Sequence, residues 1–188
     1  MSSVAIKQTN KIHPHKFTLW VGIGSIVMMF AGLTSAYIVK RNQANWISYE
    51  LPVAFYYSAV VIILSSLTLH FSAKAFKNRE VGAYRKLMAT TLLLGVLFIA
   101  LQIIGFNNFW NEGMTLQASV SYSFLYVIVG LHAIHVIGGA VALIIMSVKS
   151  FSKKTKNYNI VPVDLICTYW HFVDLLWLYL LVFLIMIK

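Results

Sequence analysis

Five apolar runs, each long enough to cross a lipid bilayer, leave this chain few folds to choose from. They cover Phe17–Val39, Val53–Ala73, Leu87–Asn107, Tyr122–Val148 and Val163–Ile187. A helix of about 20 apolar residues, rising about 1.5 Å per residue, covers a hydrocarbon core of about 30 Å. No run shows the strict alternation of a membrane β-strand. Inside hydrocarbon every backbone N–H and C=O must find its partner within the protein, which leaves the helix. The expectation is an all-α polytopic membrane protein, a single transmembrane domain over residues 1–188 with a bundle of five helices. Composition agrees, with 60% hydrophobic and only 11% charged residues, against about a quarter charged in ordinary soluble domains.

The basic residues orient the bundle. Lys7, Lys11 and Lys16 precede the first run. Lys74, Lys77, Arg79, Arg85 and Lys86 lie between the second and third, and Lys149, Lys153, Lys154 and Lys156 between the fourth and fifth. These twelve fall on one side, and only Lys40, Arg41 and Lys188 on the other. In short loops such a bias marks the cytoplasmic side, so the N-terminus is expected inside and the C-terminus outside. The net charge of +10 then reports topology and anionic head groups, and no folded soluble module is present to bind nucleic acid. The first sixteen residues are polar, and the 23-residue run after them exceeds the roughly 7–15 apolar residues of a signal peptide, so no cleavable signal is expected. The single cysteine, Cys167, permits no intrachain disulfide. Trp46, Tyr49 and Trp110, in the two outer connections, suit the head-group belt. The longest connection, Lys149–Pro162, has 14 residues, so function is expected inside the bundle or on its faces.

Ionisable groups at membrane depth are costly and demand a reason. In the fourth run His132, His135, Gly139 and Ala142 recur at helical spacing, with Gly138 beside them; in the fifth, Cys167, His171, Asp174 and Leu178 do the same. The two runs are adjacent and antiparallel, and counting from their cytoplasmic ends places His135 and Asp174 at similar depth. Small residues in the first run, Gly32 with Ala36 and Ala31 with Ser35, mark an expected tight helix contact. Three readings of the histidine and aspartate cluster stay open: helix–helix hydrogen bonding, proton handling, and ligation of haem or metal. The first is favoured. A zinc site wants three or four ligands with supporting partners, whereas a haem would need His132 or His135 to face His171 across two helices.

The residues Trp170-His171-Phe172-Val173-Asp174, followed by Trp177, and the preceding run Gly130-Leu131-His132-Ala133-Ile134-His135-Val136-Ile137-Gly138-Gly139 resemble subunit III of the haem–copper oxidases. Ala133 stands where the family pattern has glycine. Order and spacing cover all five runs, so the likeness is to the short bacterial form, without the first two of the seven helices of the long form. Many members carry a glutamate in a run similar to S-E-V-M-F, whereas this chain reads Ser25-Ile26-Val27-Met28-Met29-Phe30, with Ile26 in the acid's place.

The resemblance implies a subunit of the bacterial inner membrane that is not itself catalytic and binds no redox centre. Haems and copper ions are expected in partner subunits I and II. Contact with subunit I is expected to be the main one, phospholipid is expected as a bound component, and membership of a larger respiratory assembly stays open. The subunit is expected to sustain proton uptake and longevity during oxygen reduction. His132, His135, His171 and Asp174 are then its polar core, with Gly32, Ala36, Gly138 and Gly139 as packing residues and no catalytic, cofactor-binding or metal residue. The electron donor is expected to be cytochrome c, with a quinol as the alternative. A stand-alone haem cytochrome or proton-active enzyme is the reading from another class.

Overall fold

The computed structural model describes residues 14–42, 46, 49–151 and 160–187. Lys7, Lys11, Lys153, Lys154, Lys156 and Lys188, used above for orientation, lie outside them. Five α-helices follow in order: α1 (Pro14–Arg41), α2 (Val53–Lys77), α3 (Val81–Asn111), α4 (Val120–Phe151) and α5 (Val161–Ile187). All five are long and apolar enough to cross a membrane. Each contains its apolar run and most continue past it, because hydropathy marks the hydrocarbon whereas Tyr84, Arg85 and Lys86 extend a helix without apolarity.

Helices α2, α3, α4 and α5 form a closed four-helix bundle in which each packs on its chain neighbour and α5 closes back onto α2. Helix α1 lies outside this ring against α4 and α5, and does not approach α2 or α3 among the described residues. The α2–α3 pair is the tightest. Its seam reads Phe55, Ser58, Ile62, Ser65, Leu69 and Ser72 on α2 and Met88, Thr91, Gly95, Phe98, Gln102 and Gly105 on α3, all buried or glycine. Both follow alternating steps of three and four, the period of a left-handed supercoil. Small and hydroxylated residues let the two backbones close, and their polar atoms pair. Gln102 Nε2 donates to Ser58 Oγ at 3.1 Å, and the Thr68 and Thr91 hydroxyls pair at 2.9 Å.

The hairpin between these helices is short because α2 ends in a left-handed cap. Arg79 takes φ 61°, and the amides of Arg79 and Glu80 return to the carbonyls of Phe76 and Ala75 at 3.1 and 3.0 Å. The same device ends α3, where Gly113 has φ 77° and Met114 N donates to Phe109 O at 3.0 Å. Glycine suits that position and arginine does not, so Arg79 carries a small backbone cost.

The outer end is closed by aromatic rings. Tyr37 and Tyr49 share a hydrogen bond of 2.8 Å, and Tyr37 also meets Trp46 and Phe183 edge-on, at 4.7 and 5.4 Å between ring centres. Tyr49 is buried against Phe109 and Tyr122. The expectation that Tyr49 belongs to a lipid-facing belt is therefore corrected: Tyr49 and Leu51 are buried against the bundle, and the Tyr49 phenol satisfies another phenol. Trp110, 61% exposed, does face outward.

The small-residue contact expected on α1 is also corrected. Gly32, Ala31 and Ser35 point away from the bundle, and a Cβ placed on Gly32 would meet nothing within 4 Å. The helix turns Ile23, Phe30, Thr34 and Tyr37 inward instead, because bulky side chains bury more apolar surface in the α4–α5 groove.

Two outcomes follow from this packing. A Cβ on Gly105 would collide with the buried Phe55 ring, so Gly105→Ala should cost about 1–3 kcal/mol, while Gly32→Ala should be neutral or slightly stabilising. Thermal unfolding of the purified chain in detergent compares the two. Burial foremost, and then the adjoining Tyr37 phenol, raises the Tyr49 hydroxyl pKa above the usual tyrosine range. The fold thus favours the neutral phenol, so this contribution is intact below about pH 10 and lost as pH rises beyond it. Tyr49→Phe should cost about 1 kcal/mol at neutral pH and make stability fall less between about pH 8 and 10.5.

Candidate functional site

The polar and aromatic residues of α5 sort themselves by helix face. Trp170 and Trp177, one heptad apart, turn to the centre of the four-helix bundle and are fully buried. Trp170 donates from Nε1 to Ser65 Oγ of α2 at 3.1 Å. Its ring lies between two glycines, since a Cβ on Gly95 of α3 or Gly139 of α4 would come within 3.1 or 3.0 Å of it. Trp177 meets Phe55 of α2 and Phe98 of α3 at 5.6 Å each, and stacks on His132 of α4 at 5.2 Å. Each indole therefore touches all three other helices of the bundle. Gly139 lies against the Trp170 and Tyr169 rings, with no room for a Cβ between. Gly138 is exposed, and a Cβ placed on it would meet only the Tyr169 hydroxyl, at 3.9 Å; Ala36 is half-buried on α1.

The four ionisable residues do not converge. His132, 1% exposed, sits among Phe30, Phe98 and Trp177, and neither ring nitrogen has a hydrogen-bond partner among the described residues. His135, half-buried beside Phe30, donates from Nδ1 to the Leu131 carbonyl of its own helix at 2.7 Å. Its backbone carbonyl accepts from the Tyr169 hydroxyl at 3.0 Å. His171 points to α2, with Nδ1 bonded to Ser66 Oγ at 2.5 Å and its ring 6.3 Å from that of His70. Asp174 is 4% exposed, and its carboxyl oxygens bond to no described residue; Ser66 stands near it without hydrogen-bond geometry.

The expected pairing of Asp174 with an imidazole is thus corrected. Equal depth on two antiparallel helices did not mean a shared face, because α5 presents His171 to α2 while α4 turns His132 towards α1, α3 and Trp177. A pair formed by His171 with His132 or His135, as a haem would need, is likewise not assembled. Among the described residues no group of three or more His, Cys, Asp or Glu is placed to hold a metal ion. What the arrangement does instead is tie helices: Tyr169 to α4, Trp170 and His171 to α2, and Tyr179 by its hydroxyl to Thr34 of α1 at 3.3 Å. Ser65, Ser66, Gly95 and Thr34 were absent from the sequence reading. The seven-residue period of Ser58, Ser65 and Ser72 was the signal that could have found the first of them.

These roles make separable expectations. Trp170→Phe removes the bond to Ser65 and opens a gap between Gly95 and Gly139, and should cost about 2–3 kcal/mol. Asp174→Asn keeps the shape and breaks no observed hydrogen bond, so its cost should stay below about 1 kcal/mol. Ser66→Ala should lie near ~0.6 kcal/mol, the usual scale of an intramembrane hydrogen bond. Unfolding of each variant in detergent gives the order directly.

Comparison with known proteins agrees with the motifs. Residues 46–187 match the family described as cytochrome c oxidase subunit III, which is more than half of the chain. A probable cytochrome c oxidase subunit 3 of Nocardia farcinica is 30% identical over 182 residues, covering 90% of this chain and 89% of the relative. The cytochrome c oxidase subunit 3 of Corynebacterium diphtheriae is 29% identical over 176 residues, covering 84% and 83%. That of Bacillus sp. strain PS3 is 26% identical over 166 residues, covering 86% and 80%. With five spanning helices and the tryptophan–histidine run of α5 in place, this chain belongs to the cytochrome c oxidase subunit III family.

Proposed function

We propose that this chain is the non-catalytic third subunit of an aerobic haem–copper oxidase in a bacterial plasma membrane. The observation that carries the reading is the family match over α2 to α5. The internal organisation supports it, because the conspicuous side chains of α5 are spent on joining helices. The chain packs chiefly on subunit I and also borders subunit II, which hold the haems and copper ions, and it carries phospholipid. Cytochrome c is the electron donor, in keeping with the names of the relatives above, which carry no quinol. A stand-alone haem cytochrome finds no support in histidines that lie at different helix interfaces.

The N-terminus lies in the cytoplasm and the C-terminus outside, as the distribution of basic residues supports. The ends of α2 and α5 with Lys77 and Asp164, and the start of α1 with Lys16, then share the cytoplasmic side. Ile26, half-buried on α1, cannot ionise, so the part of proton uptake that other members assign to a glutamate is missing or carried elsewhere.

Removal of the subunit tests the reading. An oxidase lacking this chain should start at nearly its normal rate, since no redox centre leaves with it. It should then lose activity faster with turnover, with a smaller high-pH effect than in members that keep the glutamate. Initial rates and decay constants at two pH values measure both. Complete loss of the initial rate, with subunits I and II intact and fully metallated, would sink the proposal.

A further inference from the structure

We propose that the pocket where the ends of α1, α2 and α5 meet holds the phosphate of an anionic phospholipid, whose acyl chain lies along α5. The proposal deepens the phospholipid part of the function above and rests on it for placing this end at the cytoplasmic leaflet. The pocket has a volume of about 380 Å³. Lys16 of α1 and Lys74 and Lys77 of α2 bring three ammonium groups to it, and His70 and His171 stand on its wall.

Asp164 of α5 is the one carboxylate among the lining residues. It takes Lys16 at 3.2 Å and Lys77 at 3.8 Å on its two oxygens. Each ammonium has three donors, so this pairing holds the lysines of two helices over one pocket and leaves them donors to spare. The pocket keeps a net positive charge, the sign that a phosphate requires. Basic pockets between spanning helices on the cytoplasmic side are places where anionic head groups bind.

A free phosphate shares the head group's chemistry, and the surface below the pocket decides between them. Because the α1 backbone stays clear of the α2 backbone, α5 is exposed in the gap between them. Beyond His171 its exposed residues are Leu175, Tyr179, Val182 and Met186, at steps of four, three and four. They continue the helix face that bears Thr168 and His171, so an apolar track leaves the pocket and runs towards the outer leaflet. Tyr179 is bonded to Thr34 of α1, which fixes one wall of the track. A head group in the pocket and a chain on this stripe match an amphipathic ligand and not a small anion.

The test is a titration of the delipidated full-length chain in detergent, followed by native mass spectrometry. Phosphatidylglycerol and phosphatidylcholine with the same acyl chains are the probes, with inorganic phosphate as competitor. Phosphatidylglycerol should fill one saturable site, and Lys74→Gln with Lys77→Gln should weaken it by about tenfold or more. The corresponding Lys→Arg pair should retain binding, and millimolar phosphate should not displace the lipid. Equal affinity for the two lipids would overturn the proposal. So would unchanged phosphatidylglycerol binding by a helical glutamine variant, and displacement by phosphate would assign the pocket to a free anion and overturn the lipid assignment. The chain is titrated alone, so failure to join an oxidase leaves this result standing.

Discussion

Two tryptophans of α5 hold the bundle in register, and most other contacts are arranged around them. In a bilayer there is little hydrophobic gain from bringing helices together, because lipid is as apolar as leucine; close packing and internal hydrogen bonds must do it. Trp170 and Trp177 supply both kinds of contact. Helices α3 and α5 sit diagonally across the bundle, and their backbones do not approach. The Trp170 ring spans that distance to Gly95 while its N–H reaches Ser65. The glycines at 95 and 139 have their meaning from this ring: a side chain at either would push it out of the centre.

The same arrangement accounts for the isolation of the ionisable residues. With the centre filled by indole rings, His132 is left stacked on Trp177 among aromatic neighbours, while His171 is turned towards Ser66 and His70 on the far side of α5. Asp174 lies buried between these regions without a hydrogen-bond partner among the described residues. A buried carboxyl of that kind costs stability unless it is neutral or paired.

The helices were legible because each run had to satisfy its backbone within hydrocarbon, and length alone settles that. The partnering of His171 and Asp174 was not legible, since spacing along α4 and α5 gives depth but not the rotation of one helix against the other. The seam of α2 and α3 was written in the chain as a seven-residue period. Its members include Ser58, Ser65, Gly95, Gln102 and Gly105, which a search for apolar faces passes over. Gly32 misled for the converse reason: small residues permit close approach but do not attract it, and the bulkier face of α1 won the groove. Tyr49 was misplaced because an aromatic residue in an outer loop reads alike whether it meets lipid or folds back over the bundle.

The central claim is that α5 spends its histidine and tryptophans on joining helices, and the proposal that this chain holds no haem follows from it. The visible absorption spectrum of the chain, purified from haem-replete cells in mild detergent, tests this most directly. The account predicts no Soret band while the protein remains helical. A stoichiometric Soret band that disappears when His132 or His171 is replaced would contradict it.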